Sequence, residues 1–131
     1  MAAPKKKKSE SCDAELAVDG IRYYGKTGTG QGHAEMDALN NMIKAMIADY
    51  DKLRIEAAAK TLLGAKKKTV FCPSRACCKK CSAVLHKLGF KAGKDSSFSD
   101  ESMGKTQWYV GMNVRALFAL TDIDLDKIDQ L

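Results

Sequence analysis

Thr69-Val70-Phe71-Cys72-Pro73-Ser74-Arg75-Ala76-Cys77-Cys78-Lys79-Lys80-Cys81 is the stretch on which the fold turns. Its first four residues have the apolar and β-branched character of a short strand. Pro73 ends that strand, because proline brings no N–H to a ladder. From Cys78 the period changes: Cys81, Val84, Leu85 and Leu88 recur at three- and four-residue spacing, and Gly89 follows as a stop. A strand feeding directly into a helix belongs to an α/β protein rather than to an all-helical or all-strand one.

Upstream, Met36, Leu39, Ile43, Met46, Ile47 and Tyr50 predict an amphipathic helix opening at His33. A second helical run covers Leu53–Leu63 and is closed by Gly64. Residues Leu16–Tyr24 read as a hairpin turning at Asp19-Gly20, and a glycine-rich loop over 26–32 leads from it to the first helix. Downstream, residues 90–104 are polar and turn-rich, a loop with room for one short strand. Gln107–Met112 is a predicted strand, Asn113–Leu120 fits either a helix or a strand extension, and the acidic end from Asp122 predicts a short terminal helix. No internal repeat is present. The expected architecture is an α/β sandwich around a mixed sheet.

A chain of 131 residues holds one domain, and 45% apolar with 29% charged residues excludes a disordered or fibrous class. No apolar run approaches the ~18 residues of a bilayer span, so a membrane is not an expected partner. The start Met1-Ala2-Ala3-Pro4-Lys5-Lys6-Lys7-Lys8 has no apolar stretch behind it and does not read as a secretory signal. Residues 1–10 are expected to form a basic disordered tail and residues 11–131 the domain. Lys5–Lys8 also fits a phosphate-binding arm or a nuclear-import signal. Five cysteines, with Cys77, Cys78 and Cys81 crowded together, do not suit a secreted disulfide framework. They suit metal ligation in a reducing compartment, and a cytoplasmic site of action is expected.

The net charge of +6 is unevenly spread. Residues 9–59 hold 5 basic and 9 acidic side chains, whereas residues 60–94 hold 10 basic and no acidic ones. That stretch contains the cysteine cluster, so a positive field beside the cluster is expected, with a solvated lysine-rich face as the plainer reading.

Two helix starts carry the candidate chemistry. One is His33-Ala34-Glu35 after the glycine-rich loop; the other is Cys78-Lys79-Lys80-Cys81 after the proline-ended strand. One His and two Cys are the three protein ligands of an open zinc site, with a fourth position left for water. Cysteines three apart on a first helical turn share a face, and the helix N-terminus favours their thiolates. His33 and Glu35, two apart, diverge by about 200° on a regular helix. Both reach one metal only if His33 sits at the cap and Glu35 just inside, an entry that Gly30 and Gly32 permit. Taken singly, each part has plainer readings: a capping or packed histidine, a redox pair or half of a structural zinc knuckle, an acid favoured by the helix dipole.

The pattern resembles the zinc-dependent cytidine deaminase superfamily, whose signature is His-x-Glu followed by Pro-Cys-x-x-Cys. His33, Glu35, Cys78 and Cys81 match it, and the hairpin–helix–strand–helix order from Leu16 to Leu88 is similar to the family core. Pro73 stands five residues before Cys78 rather than next to it, and the intervening Ser74-Arg75-Ala76-Cys77 resembles the deaminase domains of bacterial polymorphic toxins. Cys77, one helical turn before Cys81, competes with Cys78 as ligand; the two-residue spacer of the family selects Cys78. The resemblance implies a cytidine-deaminase-like α/β/α sandwich and a hydrolase acting on C–N bonds of cyclic amidines. Zn2+ would be held by His33, Cys78 and Cys81. Glu35, not a ligand, would carry the proton of the attacking water to the ring nitrogen and to departing ammonia.

The expected substrate is cytosine in nucleic acid, with adenine second. A polynucleotide is favoured because the basic stretch holds the cysteine motif and phosphate contacts dominate such binding, and the expected form is single-stranded DNA ahead of double-stranded DNA or RNA. Candidate substrate-binding residues are Thr27 and Thr29 at the pocket mouth, Ser74, Lys79 and Trp108, with Tyr23, Tyr24, Phe98 and Tyr109 as further stacking faces. A flexible connector for 27–30 and a core position for Trp108 are the competing readings. His86 is expected at the surface or partly packed, Cys12 as a surface thiol and Cys72 as a core residue of its strand. Alternatives are a deaminase of free cytidine, deoxycytidine or their nucleotides, and, from another class, a non-catalytic zinc-stabilised nucleic-acid-binding module. A toxin would require an immunity protein as partner and delivery into a target cell.

Overall fold

The computed structural model describes residues 13–26, 33–47, 52–72, 79–93, 108 and 110–131. Strand β1 (Asp13–Val18) pairs antiparallel with β2 (Ile21–Lys26) across the Asp19-Gly20 turn. Both turn residues take positive φ, 48° and 91°, which matches the twist of a two-residue hairpin; aspartate tolerates this conformation and glycine favours it. Asp19 does more than turn the chain. Its Oδ1 accepts the N–H groups of Lys66 (3.0 Å) and Lys67 (2.8 Å), and its own N–H donates to the Lys67 carbonyl at 2.8 Å. The hairpin tip is thereby fastened to the chain that enters β3 (Lys68–Phe71).

β1 lies between β2 and β3 and is antiparallel to both; the two-residue β4 (Lys91–Ala92) adds in parallel to β3, giving the order β2-β1-β3-β4. The short strand left open by the sequence over 90–104 is β4. Along β1, Ala14, Leu16 and Val18 face the core together with Val70 of β3. The other face carries Glu15, ion-paired to Arg22 at 3.4 Å, and Tyr24, which is 60% exposed.

Helix α1 (Ala34–Met46) lies across β1 and β2 and buries Met36, Leu39, Met42 and Ile43. Helix α2 (Lys52–Gly64) buries Ile55, Ala59 and Leu62, and α4 (Met112–Leu120) packs against both α1 and α2 through Val114, Leu117 and Phe118. Helix α3 (Lys79–Lys87) makes the crossover from β3 to β4. It ends as the glycine predicts: Gly89 takes φ 90°, Phe90 N–H donates to the Leu85 carbonyl and Gly89 N–H to that of His86. The Lys68 ammonium caps the same end by donating to the Leu88 carbonyl at 2.8 Å. The short α5 (Leu125–Asp129) is capped by the Asp124 carboxylate, which accepts the N–H groups of Asp126 and Lys127, and packs on α3.

One expected element is different. Met112, placed at the end of a strand by the sequence reading, is the first residue of α4, and neither Trp108 nor Val110 pairs in the sheet. Both are buried without belonging to a strand among the described residues; Gly111, in extended conformation, starts the helix. The ambiguous Asn113–Leu120 is helical. The molecule is thus a mixed α/β domain, and no described helix is long and apolar enough to cross a membrane. The expected N-terminal tail lies outside the described residues.

Candidate metal centre

His33 is the N-cap residue of α1, with extended backbone angles of φ −95° and ψ 148°, and Glu35 is the second residue of the helix. The extended backbone takes His33 off the helical spiral, so the 200° divergence of a regular helix does not apply. Cys81 arrives from the third position of α3. One ligand atom from each of His33, Glu35 and Cys81 lies within 4.8 Å of the others. His33 and Glu35 are each only 4% exposed and Cys81 is fully buried. Polar side chains withdrawn from water in this way need strong partners, and a cation surrounded by them is one.

The spacing suits a specific ion. His33 Nδ1 and Cys81 Sγ are 3.6 Å apart. A tetrahedral zinc with Zn–N of ~2.05 Å and Zn–S of ~2.3 Å has an N···S edge of about 3.6 Å. Imidazole with thiolate is a donor pair for zinc rather than for magnesium or calcium. A metal on Nδ1 leaves the ring proton on Nε2. Cys81 lies in the first turn of α3, where the helix dipole favours the thiolate that a metal requires.

The sheet explains why distant segments meet. The register Glu15↔Phe71 and Asp13↔Lys26 places the end of β3, the start of β1 and the end of β2 side by side. The helices that carry His33 and Cys81 both start at that edge. The Lys26 N–H donates to Asp37 Oδ2 at 2.9 Å, tying the first turn of α1 to the end of β2. Asp37, buried and absent from the sequence reading, thus orients the helix start that carries His33 and Glu35. Cys72 also has a place here: its Sγ donates to Glu35 Oε2 at 3.2 Å, and the residue is only 1% exposed. Its position at the strand tip, one residue before the proline, is the signal that separates it from an ordinary core cysteine.

Among the other candidates, Thr27, Thr29, Ser74, Cys77 and Cys78 lie outside the described residues, as do Cys12, Phe98 and Tyr109. Lys79 opens α3 and is half-buried. Lys80 is committed within the fold: its ammonium is 3.2 Å from Asp129 of α5 and 5.7 Å from the centroid of the Trp108 ring. Trp108 is 7% exposed, and its buried indole N–H has no hydrogen-bond partner among the described residues. Tyr23 is half-buried, Tyr24 lies on the open face of the sheet, and His86 is exposed.

The positive stretch does not converge on the cluster as its sequence position suggests. Lys68 stands at the opposite end of β3 from Cys72, four residues or about 13 Å away at ~3.3 Å per residue. Lys66 and Lys67 precede it beside the hairpin tip, and Lys87 closes α3 at its far end. Of the described cations of this stretch, Lys79 and Lys80 start the helix that carries Cys81.

Compared with known protein families, curated proteins and solved structures, the chain matches none. The metal reading is checked directly. Elemental analysis of the purified protein is expected to find about one zinc per chain, lost in Cys81→Ser and in Cys78→Ala but kept in Cys77→Ala. Zinc retained by Cys78→Ala and lost by Cys77→Ala would move the ligand by one residue.

Proposed function

We propose that the protein is a zinc-dependent hydrolytic deaminase that converts cytosine to uracil in nucleic acid, built on a cytidine-deaminase-like sandwich. One observation carries this reading: an imidazole and a thiol spaced as zinc ligands meet a buried carboxylate at the starts of two helices. The resemblance of His33-Ala34-Glu35 and Cys78-Lys79-Lys80-Cys81 to the deaminase signature points the same way.

His33 and Cys81 would hold the ion, with Cys78, which lies outside the described residues, as the third ligand implied by the resemblance. When bound, zinc supplies an activated water as the nucleophile for the amino-bearing ring carbon. Glu35 would take one proton from the attacking water and give it to the ring nitrogen, then take the second proton from the hydroxyl left on the ring carbon and give it to the departing amine. Water is consumed, ammonia is released, and the C–N bond is replaced by a carbonyl. Buried from solvent, the carboxylate would exchange protons with the substrate rather than with bulk water.

Single-stranded DNA is the preferred substrate, with double-stranded DNA and RNA behind it, because an unpaired base is the cheapest to bring into a buried site. The formal charge of +6, with Lys79 and Lys80 at the start of the helix that carries Cys81, supports a polyanionic partner. The role we favour is that of a toxin or mutagenic effector acting in the cytoplasm of a target cell, with an immunity protein as its partner.

The test is to incubate the zinc-loaded protein with single-stranded DNA, double-stranded DNA, RNA and free cytidine, measuring ammonia release and sequencing for C-to-U and A-to-I changes. C-to-U conversion in single-stranded DNA is expected. Conversion of free cytidine alone makes the protein a nucleoside enzyme, and salt-dependent oligonucleotide binding without ammonia makes it a binding module.

A further inference from the structure

The deaminase reading leaves one buried thiol without a role. Cys72 directly follows β3, outside the His33, Glu35 and Cys81 group, and its Sγ donates to Glu35 Oε2 at 3.2 Å. A sulfur–oxygen separation of this length is a hydrogen bond of a thiol to a carboxylate, a charge-assisted contact stronger than most that thiols make. Both groups are almost completely buried, so water does not compete for the bond.

We infer that Cys72 is a positioning residue for Glu35. This inference rests on the proposed deaminase function, because it assigns Cys72 a task in that reaction. A glutamate side chain has three rotatable bonds, and a carboxylate moving protons from water to a ring nitrogen and to an amine must keep its orientation throughout. Cys72 occupies Oε2 with its S–H and so fixes the carboxylate plane. The other oxygen stays available to the reacting atoms. The thiol is well placed for this task because it directly follows β3 of the sheet, whereas Glu35 sits in the first turn of α1. A valine or alanine at 72 would fill a strand-core position equally well and would leave the carboxylate free to rotate.

The test compares Cys72→Ala and Cys72→Ser in the full zinc-loaded chain. Cys72→Ala is expected to lower kcat about tenfold, the worth of one hydrogen bond of ordinary strength, with KM within about twofold and zinc content unchanged. Cys72→Ser, which restores a donor, is expected to recover most of kcat. A purely packing role is excluded by that recovery, since serine fills the site less well than cysteine does. Three outcomes overturn the inference: a Cys72→Ala kcat equal to that of the wild type, a Cys72→Ser kcat as low as that of Cys72→Ala, or loss of zinc in Cys72→Ala, which would make the sulfur a ligand.

A second readout keeps this separate from the activity itself. The infrared S–H stretch of Cys72, identified as the band missing from Cys72→Ala, is expected below the frequency of a thiol without an acceptor and is expected to rise in Glu35→Gln. If the wild type deaminates nothing while this band is shifted, the deaminase reading fails and the contact stands. If the band lies at the position of a thiol without an acceptor, the inference fails whatever the activity.

Discussion

Glu35→Gln is expected to keep the zinc content and fold of the wild type and to lose about 10²- to 10⁴-fold in kcat. The substitution preserves the volume of the side chain and leaves an amide oxygen to accept from Cys72, so packing at the start of α1 changes little. What it removes is the ability to take a proton and return it. His33 and Cys81, spaced as a zinc pair without help from the carboxylate, retain the ion. Zinc analysis, thermal denaturation and ammonia release on single-stranded DNA check the three parts together. If zinc is lost along with activity, Glu35 is a ligand; if neither changes, the proton passes through another group and the mechanism given above is wrong.

Gly25→Ala is expected to destabilise the domain by about 3 kcal/mol, a fall of roughly 10 °C in Tm, and to weaken zinc binding at the same time. A Cβ at Gly25 would lie far inside contact distance of the Ala34 carbonyl oxygen and the Ala38 amide nitrogen, and 2.9 Å from Ala38 Cα. All three are backbone atoms of α1, which cannot rotate away as the end of a side chain would. The helix must lift off β2 at the place where Ala34 and Ala38 allow it to approach, and it carries His33 and Glu35 with it. The neighbouring bond from Lys26 N–H to Asp37 is strained by the same displacement. Gly64→Ala is the control: a Cβ there meets nothing within 4 Å, and the change is expected to alter stability by at most about 1 kcal/mol, in the stabilising direction. Equal losses at Gly25 and Gly64 would show that the close approach of helix and strand is not what sets the start of α1.

The elements legible without coordinates are those whose signals are local. Asp19-Gly20 supplies the backbone freedom of a two-residue hairpin, Met36, Leu39 and Ile43 mark one face of a helix, and Gly89 takes the left-handed conformation that ends α3. Trp108 and Val110 misled for a related reason: burial of alternate residues is the same signal whether or not a neighbouring strand is there to pair. Periodicity reports which side chains avoid water, not what the backbone bonds to.

Residue chemistry was also available from the sequence alone. Imidazole, thiol and carboxylate at two helix starts are visible as His33, Glu35 and Cys81. Their convergence was expected only from the resemblance; in the fold it depends on the register of β1 with β2 and β3, and the β1–β3 pairings join residues fifty or more positions apart in the chain. The same pairings carried Lys66–Lys68 to the far end of the sheet from Cys72 although the two are close in sequence, since an extended strand separates residues by ~3.3 Å at every step. They also brought Cys72 against Glu35 and Lys26 against Asp37. Local sequence therefore determined the hairpin, the helices and the kinds of atoms available for chemistry. Which of those atoms share one buried space was decided by the tertiary structure, because hydrogen-bonded strand pairing and helix packing act between segments that carry no mark of one another along the chain.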